Sequence, residues 1–184
     1  RSPMVSPSQD MVMGNYYLTY MNMNEHEKGY GLIFKNCFEA ITAFELGKVS
    51  LQAKVKVRIS DKGKTVVDSK GERHEGCRVI ETTAGRCLFN DILPKEMPFY
   101  NMTMAGKKLS MAISDCSRIC GESETIHLLD DIKDIGFKYA GKAGLSFGIT
   151  DLKIPEKKWG IIEKAQKKID KINKNYQKGV LTER

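Results

Sequence analysis

The feature that most constrains the fold of this sequence is an apolar stripe near its end. Within a helix predicted over residues 155–178, apolar residues recur at alternating intervals of three and four positions: Ile162, Ala165, Ile169, Ile172 and Tyr176. This spacing indicates a narrow stripe that packs against one antiparallel or coiled-coil neighbour. At 1.5 Å per residue, the helix would be roughly 35 Å long. We expect its partner helix to belong to sequence that follows residue 184.

The same helix carries most of the chain's excess positive charge. Residues 153–178 contain nine lysines and three acidic residues, whereas residues 1–152 contain 20 basic and 19 acidic residues. An electrostatic partner is therefore expected at this helix. The candidate docking residues are five lysines: Lys157, Lys158, Lys164, Lys167 and Lys168.

Three roles are open for this basic surface: a solvated face, a contact with nucleic acid or a membrane, and a docking surface for an acidic protein. Proteins that bind nucleic acid usually interleave aromatic or arginine side chains with the charge. This helix has lysine almost exclusively, with Trp159 at its start. Composition alone does not choose among the three roles.

A second pattern predicts a β-strand with one buried face. Every odd position over residues 51–59 is apolar and every even position is polar, which is the period of a half-buried strand. We therefore predict an α+β fold. A small antiparallel sheet with short helices forms residues 1–100, and a helical part over residues 101–184 ends in a long projecting helix.

Capping residues and apolar spacing place the other elements. A first helix is predicted to begin after a cap at Ser8. Further helices are predicted over residues 37–46, 85–93, 107–119 and 123–141, the last with Ser123 as its cap. Further strands are predicted at 65–67 and 77–83, polar loops at 22–31 and 68–76, and a brief extended stretch at 144–149. Pro155 is expected in the first turn of the last helix.

No pattern of an active site or a metal site is recognisable. The five cysteines are odd in number and irregularly spaced, which is typical of reduced thiols in a cytoplasmic protein. The Gly106-Lys107 pair lacks the upstream glycine and the following hydroxyl of a phosphate-binding loop. Asp130 and Asp131 are adjacent, so on a helix they point about 100° apart. No apolar run approaches the ~20 residues that a membrane span requires, and we expect no membrane contact.

Several blocks together resemble one family. In chain order they are residues 7–19 (PSQDMVMGNYYLT), 51–58 (LQAKVKVR), 82–86 (TTAGR), 89–94 (FNDILP), 135–140 (IGFKYA), 143–152 (AGLSFGITDL), 154–158 (IPEKK) and 176–179 (YQKG). They are similar to β′, the largest catalytic subunit of bacterial multisubunit RNA polymerase. The blocks span almost the whole chain in the order of that family.

The resemblance implies a piece of a much larger nucleotidyltransferase subunit that functions in transcription. In the family, this stretch follows a loop whose three aspartates hold the catalytic magnesium. That loop is absent here, so the segment alone is expected to be non-catalytic, with no cofactor of its own. Gln9 and Asp10 would lie near the active centre.

The resemblance also implies a location and partners. The matching pore and funnel region walls the secondary channel through which nucleotides enter, and the basic helix matches the first arm of a rim hairpin. Expected partners are the rest of β′, the other polymerase subunits, and transcript-cleavage or coiled-coil regulators with acidic tips. DNA and RNA would be bound by the whole enzyme, in the cytoplasm. The alternative is a free-standing lysine-rich module that binds nucleic acid or an anionic surface.

Overall fold

The computed structural model describes residues 6–60, 63–144, 146 and 148–179. The helices are α1 (Gln9–Thr19), α2 (Cys37–Glu45), α3 (Ala84–Asp91), α4 (Gly106–Ile119), α5 (Glu122–Ala143) and α6 (Lys158–Gln177). The strands are β1 (Ile33–Phe34), β2 (Val55–Arg58), β3 (Lys64–Val67), β4 (Arg73–Cys77), β5 (Val79–Thr82) and β6 (Phe99–Tyr100). The predicted α+β class is confirmed.

The strands form two mixed sheets of three strands each, in place of the single antiparallel sheet that the sequence predicts. The first has the order β1-β2-β5, and the second has the order β4-β3-β6. In each sheet the central strand pairs antiparallel with one neighbour and parallel with a two-residue edge strand. Strands of two residues are too short to produce an alternating pattern, which is why β1 and β6 were not predicted.

The alternating segment buries the predicted face. Val55 and Val57 of β2 are fully buried while Lys56 and Arg58 are exposed, and Leu51 and Ala53 are buried ahead of the strand. The regular strand is shorter than predicted, because residues 51–52 form a turn and Ala53 makes an isolated bridge with Asn22. The prediction of which side chains enter the core is confirmed.

The loop predicted at 68–76 is wrong in its second half, where β4 pairs with β3 as a hairpin. The four residues 73–76 are all exposed, so this strand has no apolar face that a sequence pattern could indicate. The turn is closed by Asp68, whose Oδ1 accepts the backbone N–H groups of Lys70 and Glu72. Residues 61–62 of the turn predicted before β3 lie outside the described residues.

Several helix ends differ from the predictions. Ser8 is the N-cap of α1 but forms no capping hydrogen bond through its side chain. Ser123 lies inside α5, whose N-cap is Gly121 with φ of 90°, and Thr125 Oγ1 donates to the carbonyl of Gly121. The extended stretch predicted at 144–149 overlaps a short 3-10 helix, Ile149–Asp151, only at its last residue, and its residues 145 and 147 lie outside the described residues. Pro155 precedes α6 in a turn, accepting the N–H of Lys158.

The chain divides into two compact units, residues 1–145 and 146–184. The first unit contains two buried clusters, whose members include Leu18, Phe89, Ile113 and Ile132 in one and Val55, Val57, Val66 and Phe99 in the other. In the described part of the chain, all strands and the helices α1 to α3 lie before residue 101, whereas α4, α5 and α6 follow the division predicted near residue 100. The larger cluster draws residues from both sides of that position.

Within the first unit, α1 crosses α5 at very close range. Glycines lie at the crossing on both helices, Gly14 on α1 and Gly136 on α5. Asn15 is fully buried beside them, and its Nδ2 donates to the carbonyl oxygens of Met11 and Ile132. The contact therefore joins α1 backbone to α5 backbone. In the described part of the chain, no helix is long and apolar enough to cross a membrane.

Candidate functional site

The predicted docking lysines lie on α6 and at its N-cap. Lys157 is the N-cap residue and has right-handed helical backbone angles, and the other four lie within the helix. At about 100° per residue, Lys157, Lys164 and Lys168 fall within about 40° of one another around the helix axis. We call these three residues the lysine row. Lys158 falls about 100° away, where its Nζ lies 5.4 Å from the centre of the Trp159 ring.

The charge of the lysine row is not neutralised within its own helix. Lys167, outside the row, forms an ion pair with Glu163 at 2.7 Å between Nζ and Oε1. Among the described residues, no carboxylate oxygen lies within 4 Å of an Nζ atom of the lysine row. The row spans about 17 Å along α6. The lysine row is therefore a solvated positive surface. Lys167 adds less net charge to α6 because it is paired with Glu163.

The apolar stripe of α6 is exposed. Ile169 is 49% exposed and Ile172 is 56% exposed, and no side chain of the helix is buried. Both isoleucines are therefore accessible to the partner helix that the spacing predicts. The stripe is centred about 100° around the helix from the lysine row. An apolar face and a positive face thus lie side by side on α6.

Gln9 and Asp10, which were predicted to lie near an active centre, form the exposed start of α1. Gln9 has φ of 48°, in the left-handed region that glycine favours. The positive end of the helix dipole stabilises the Asp10 carboxylate in the first turn. Both residues belong to the unit 1–145, whereas the lysine row belongs to the unit 146–184.

The end of α1 is held by a buried hydrogen-bond network around a charged arginine, which was not predicted. Arg86 of α3 is only 7% exposed; its Nε donates to the carbonyl of Thr19 at 3.0 Å, and its Nη1 donates to Asn101 Oδ1 at 2.9 Å. Thr19 Oγ1 in turn accepts the N–H of Met104. Burial lowers the pKa of Arg86 to about 10, so the guanidinium stays charged at neutral pH. The sequence feature that could have indicated this network is Arg86 itself, a single arginine with small and apolar neighbours on a short helix.

A cluster of ion pairs around the buried carboxylate of Asp115 joins the β3–β4 hairpin to α4. Asp115 Oδ2 accepts from Arg73 Nη2 at 2.7 Å and from the Tyr100 hydroxyl at 2.8 Å, while Oδ1 accepts from Arg118. Burial and the hydrogen bond to Asp115 both raise the pKa of Tyr100. Tyr100 therefore remains a proton donor, and the cluster fixes the hairpin against the helix.

Among the described residues, one group brings three potential metal-ligating atoms within 4.8 Å: Asp68, Glu72 and His74. Besides two backbone N–H groups, Asp68 binds His74 Nε2 at 3.2 Å, and this contact lowers the pKa of Asp68. These contacts close the turn of the β3–β4 hairpin, which explains why the three side chains lie close together. Neither Gln9 nor Asp10 belongs to it. That the segment holds no cofactor of its own stays a prediction.

Comparison with known proteins gives one consistent family. The family model described as "RNA polymerase Rpb1, domain 3" matches residues 1–152. Three relatives carry the name "DNA-directed RNA polymerase subunit beta'". Those from Desulforamulus reducens, Amoebophilus asiaticus and Sulfurihydrogenibium sp. are 40%, 38% and 41% identical to this chain. The matches cover 98%, 99% and 98% of the chain.

The relatives are much longer proteins, of which this chain spans 14%, 12% and 10%. The match with each relative extends over almost all of the chain, so it includes the α6 region beyond residue 152. Both comparisons agree with the resemblance carried by the sequence blocks. The chain belongs to the RNA polymerase Rpb1 domain 3 family and corresponds to a segment of the β′ subunit of DNA-directed RNA polymerase.

Proposed function

We propose that this chain acts in transcription as part of DNA-directed RNA polymerase, with two tasks. Residues 1–145 form part of the wall of the secondary channel through which nucleotides reach the active centre. Helix α6 is a docking arm for coiled-coil regulators and transcript-cleavage factors that present acidic tips. The observation that carries the docking role is the lysine row beside an uncovered apolar stripe on α6.

The channel-wall role is supported by the way α1 is anchored. A wall beside a catalytic centre must keep its position during turnover, and helices joined by backbone contact and buried hydrogen bonds are rigid. Helix α1 has both, through Gly14 against Gly136 and through Arg86. Its exposed first residues, Gln9 and Asp10, then face the active centre.

The segment by itself is non-catalytic in this proposal. The carboxylates that hold the catalytic magnesium are contributed by another part of the subunit, and this segment needs no cofactor. Its constant partners are the rest of β′ and the other polymerase subunits. It meets DNA and RNA only through the assembled enzyme, which functions in the cytoplasm.

The first prediction tests the docking role by removing charge from the lysine row. Lys157→Gln, Lys164→Gln and Lys168→Gln are introduced together into the full β′ subunit, and factor-stimulated transcript cleavage is measured at subsaturating factor. Because solvated charges mainly accelerate encounter, we expect stimulation to fall on the order of tenfold at low salt. The difference should shrink as salt shortens the screening length to about 8 Å at physiological ionic strength.

The matched control removes the same charge from the other unit. Lys48→Gln, Lys70→Gln and Lys107→Gln change three exposed lysines of residues 1–145. Stimulated cleavage should then remain at the wild-type rate, and unstimulated elongation should be normal in both triple variants. An equal loss in the two variants would mean that overall charge matters and not the lysine row. Unchanged stimulation in the first variant would assign the lysine row to solubility alone.

The second prediction concerns the apolar stripe, which we propose packs against a following helix of the full subunit. Ile172→Asp should destabilise that packing by about 3–5 kcal/mol, because it places a charge in a buried contact. Limited proteolysis of the assembled enzyme should therefore cleave α6 faster in the variant. Gln177→Asp adds the same charge about 140° around the helix from Ile172, and should leave the cleavage rate unchanged. Equal protection in both variants would contradict a helix over the stripe.

The alternative of a free-standing lysine-rich module is tested by the same variants. A module that binds nucleic acid through the row would lose affinity for RNA when the three lysines are replaced, with a reduced salt slope. We expect RNA binding by the assembled polymerase to be unaffected, because the row contacts a protein. A loss of RNA affinity in the variant would favour the module.

A further inference from the structure

A cavity in the unit 1–145 lies beside the end of α1. Its volume is about 390 Å³, within the range of about 300–1,000 Å³ that sites for small molecules occupy. Lys54, Asp68, Glu81, Arg86 and Thr103 are among the residues that line it. All of them belong to residues 1–145, so the cavity is formed within one compact unit.

Arg86 presents one free nitrogen to this cavity. The residue is only 7% exposed. Its Nε donates to the carbonyl of Thr19, and its Nη1 donates to the backbone and side-chain oxygens of Asn101. The other terminal nitrogen, Nη2, has no hydrogen-bond partner among the described residues, although it is not fully enclosed. Nη2 can therefore donate two hydrogen bonds to a molecule in the cavity.

The positive charge of Arg86 has no carboxylate partner within the described residues. None of their Asp or Glu oxygens lies within 4 Å of the Arg86 guanidinium. Buried arginines are usually paired with an anion, because an enclosed charge without one is costly. The enclosed guanidinium and its free nitrogen together indicate an anion that enters the cavity.

The two carboxylates that line the cavity are already engaged. Glu81 Oε2 accepts from Lys54 Nζ at 2.7 Å. Asp68 Oδ1 accepts two backbone N–H groups, and its Oδ2 contacts His74 Nε2. The Lys54 ammonium has further N–H groups besides the one that Glu81 uses, so it can also donate to a bound anion.

We propose that this cavity binds the phosphate group of a small molecule, with Arg86 Nη2 as the central donor and Lys54 as the second cationic donor. Ser69 and Thr103 each bring a hydroxyl group to the same lining. These donors are more numerous than the two oxygens of a carboxylate require, whereas a phosphate group offers at least three acceptor oxygens. This inference is independent of the docking and channel-wall roles proposed above.

The test is hydrogen exchange on assembled polymerase that contains this chain, with increasing inorganic phosphate at constant ionic strength. Bound phosphate should slow exchange in the peptides that contain Arg86 and residues 101–104, because their backbone is linked to the site through the Arg86 guanidinium. The slowing should follow the linkage relation for one site, which yields the affinity. An equal slowing in all peptides of residues 1–145 would be general stabilisation by an excluded salt, and would contradict a localised site.

Two variants should move the affinity in opposite directions while Arg86, whose other hydrogen bonds hold α1, is left intact. Lys54→Gln removes a cationic donor and leaves the Glu81 carboxylate unpaired, so we expect the affinity for phosphate to fall on the order of tenfold. Glu81→Gln removes the competing carboxylate and frees the Lys54 ammonium, so the affinity should rise several-fold. The Lys54–Glu81 pair is partly exposed, so neither change should unfold the unit.

Lys56→Gln is the matched control. It removes the same charge two residues further along the chain, from an exposed position of β2 that does not line this cavity. Its effect on the affinity should stay within about twofold, because solvent and salt screen the exposed charge. Equal losses in Lys54→Gln and Lys56→Gln would mean that phosphate responds only to net charge. Unchanged affinity in both Lys54→Gln and Glu81→Gln would overturn the site.

Adenosine monophosphate and adenosine identify the source of the phosphate group. Equal affinity for inorganic phosphate and adenosine monophosphate would assign recognition to the phosphate group alone, and tighter binding of adenosine monophosphate would extend the site to a nucleotide. Adenosine should leave exchange unchanged because it carries no anion. Slowing by adenosine, or no slowing by either phosphate compound, would overturn the proposal.

Discussion

Gly14→Ala is expected to lower the free energy of unfolding of residues 1–145 by more than about 3 kcal/mol, since overpacking without room to relax is strongly destabilising. A Cβ atom on Gly14 would lie 1.7 Å from the carbonyl oxygen of Gly136 and 2.6 Å from its carbonyl carbon. Both atoms are backbone, so no side chain can rotate away. Relief requires α1 and α5 to separate, which would open the larger core cluster.

Urea denaturation of the chain measures this effect, and α5 itself supplies the control. Gly141 is a second helical glycine on α5, and a Cβ added there meets nothing within 4 Å. Gly141→Ala should therefore stabilise the unit by about 0.5–1 kcal/mol through helix propensity. If both alanine variants change stability by the same amount and sign, the close crossing of α1 and α5 is wrong.

An element of the fold can be predicted from the sequence when the interactions that form it lie within one segment of the chain. The burial of Val55 and Val57 was predicted because alternation within one strand reports directly which side faces a core. The helix that carries Ile169 and Ile172 was predicted from spacing within one segment for the same reason. In both segments, the residues that carry the hydrophobic pattern are the same residues that form the strand or the helix.

The strands that were not predicted depend on partners far along the chain. Strand β4 has no apolar face, and it is extended because β3 offers it hydrogen bonds across a turn that Asp68 closes. Strand β6 pairs with β3 in parallel, about 30 residues after it. Such pairings are determined by tertiary structure, and local propensity carries little information about them.

The same difference between local and long-range interactions applies to the candidate site. The five candidate lysines were selected because charge and helical spacing lie within one segment. The pairing of Lys167 with Glu163 and the position of Lys158 over Trp159 needed the structure. The hydrogen bonds of Arg86 join α3 to the carbonyl of Thr19 and to Asn101, so the segment around Arg86 carries no signal of these partners. Contacts of this kind become visible only in three dimensions.

Arg86→Met is expected to destabilise residues 1–145 by about 3–5 kcal/mol, because it removes one partner from a buried, charged hydrogen-bond network. Methionine keeps most of the side-chain volume but donates no hydrogen bond. The carbonyl of Thr19 and the Oδ1 of Asn101 would then lose their charged donor. Because Thr19 ends α1, the loss should loosen the helix whose first residues are proposed to face the active centre.

Arg118→Met is the matched control for this change. Arg118 also bonds a carboxylate, Asp115 Oδ1 at 2.8 Å, but its side chain is 67% exposed. Exposed ion pairs contribute about 0–1 kcal/mol, and Asp115 retains Arg73 and the Tyr100 hydroxyl. Urea denaturation should therefore separate the two variants by at least about 2 kcal/mol. Hydrogen exchange should show the loss of protection in Arg86→Met at the amides of α1 and of residues 101–104. Equal stabilities, or normal protection of α1 in Arg86→Met, would show that Arg86 does not hold α1 in place.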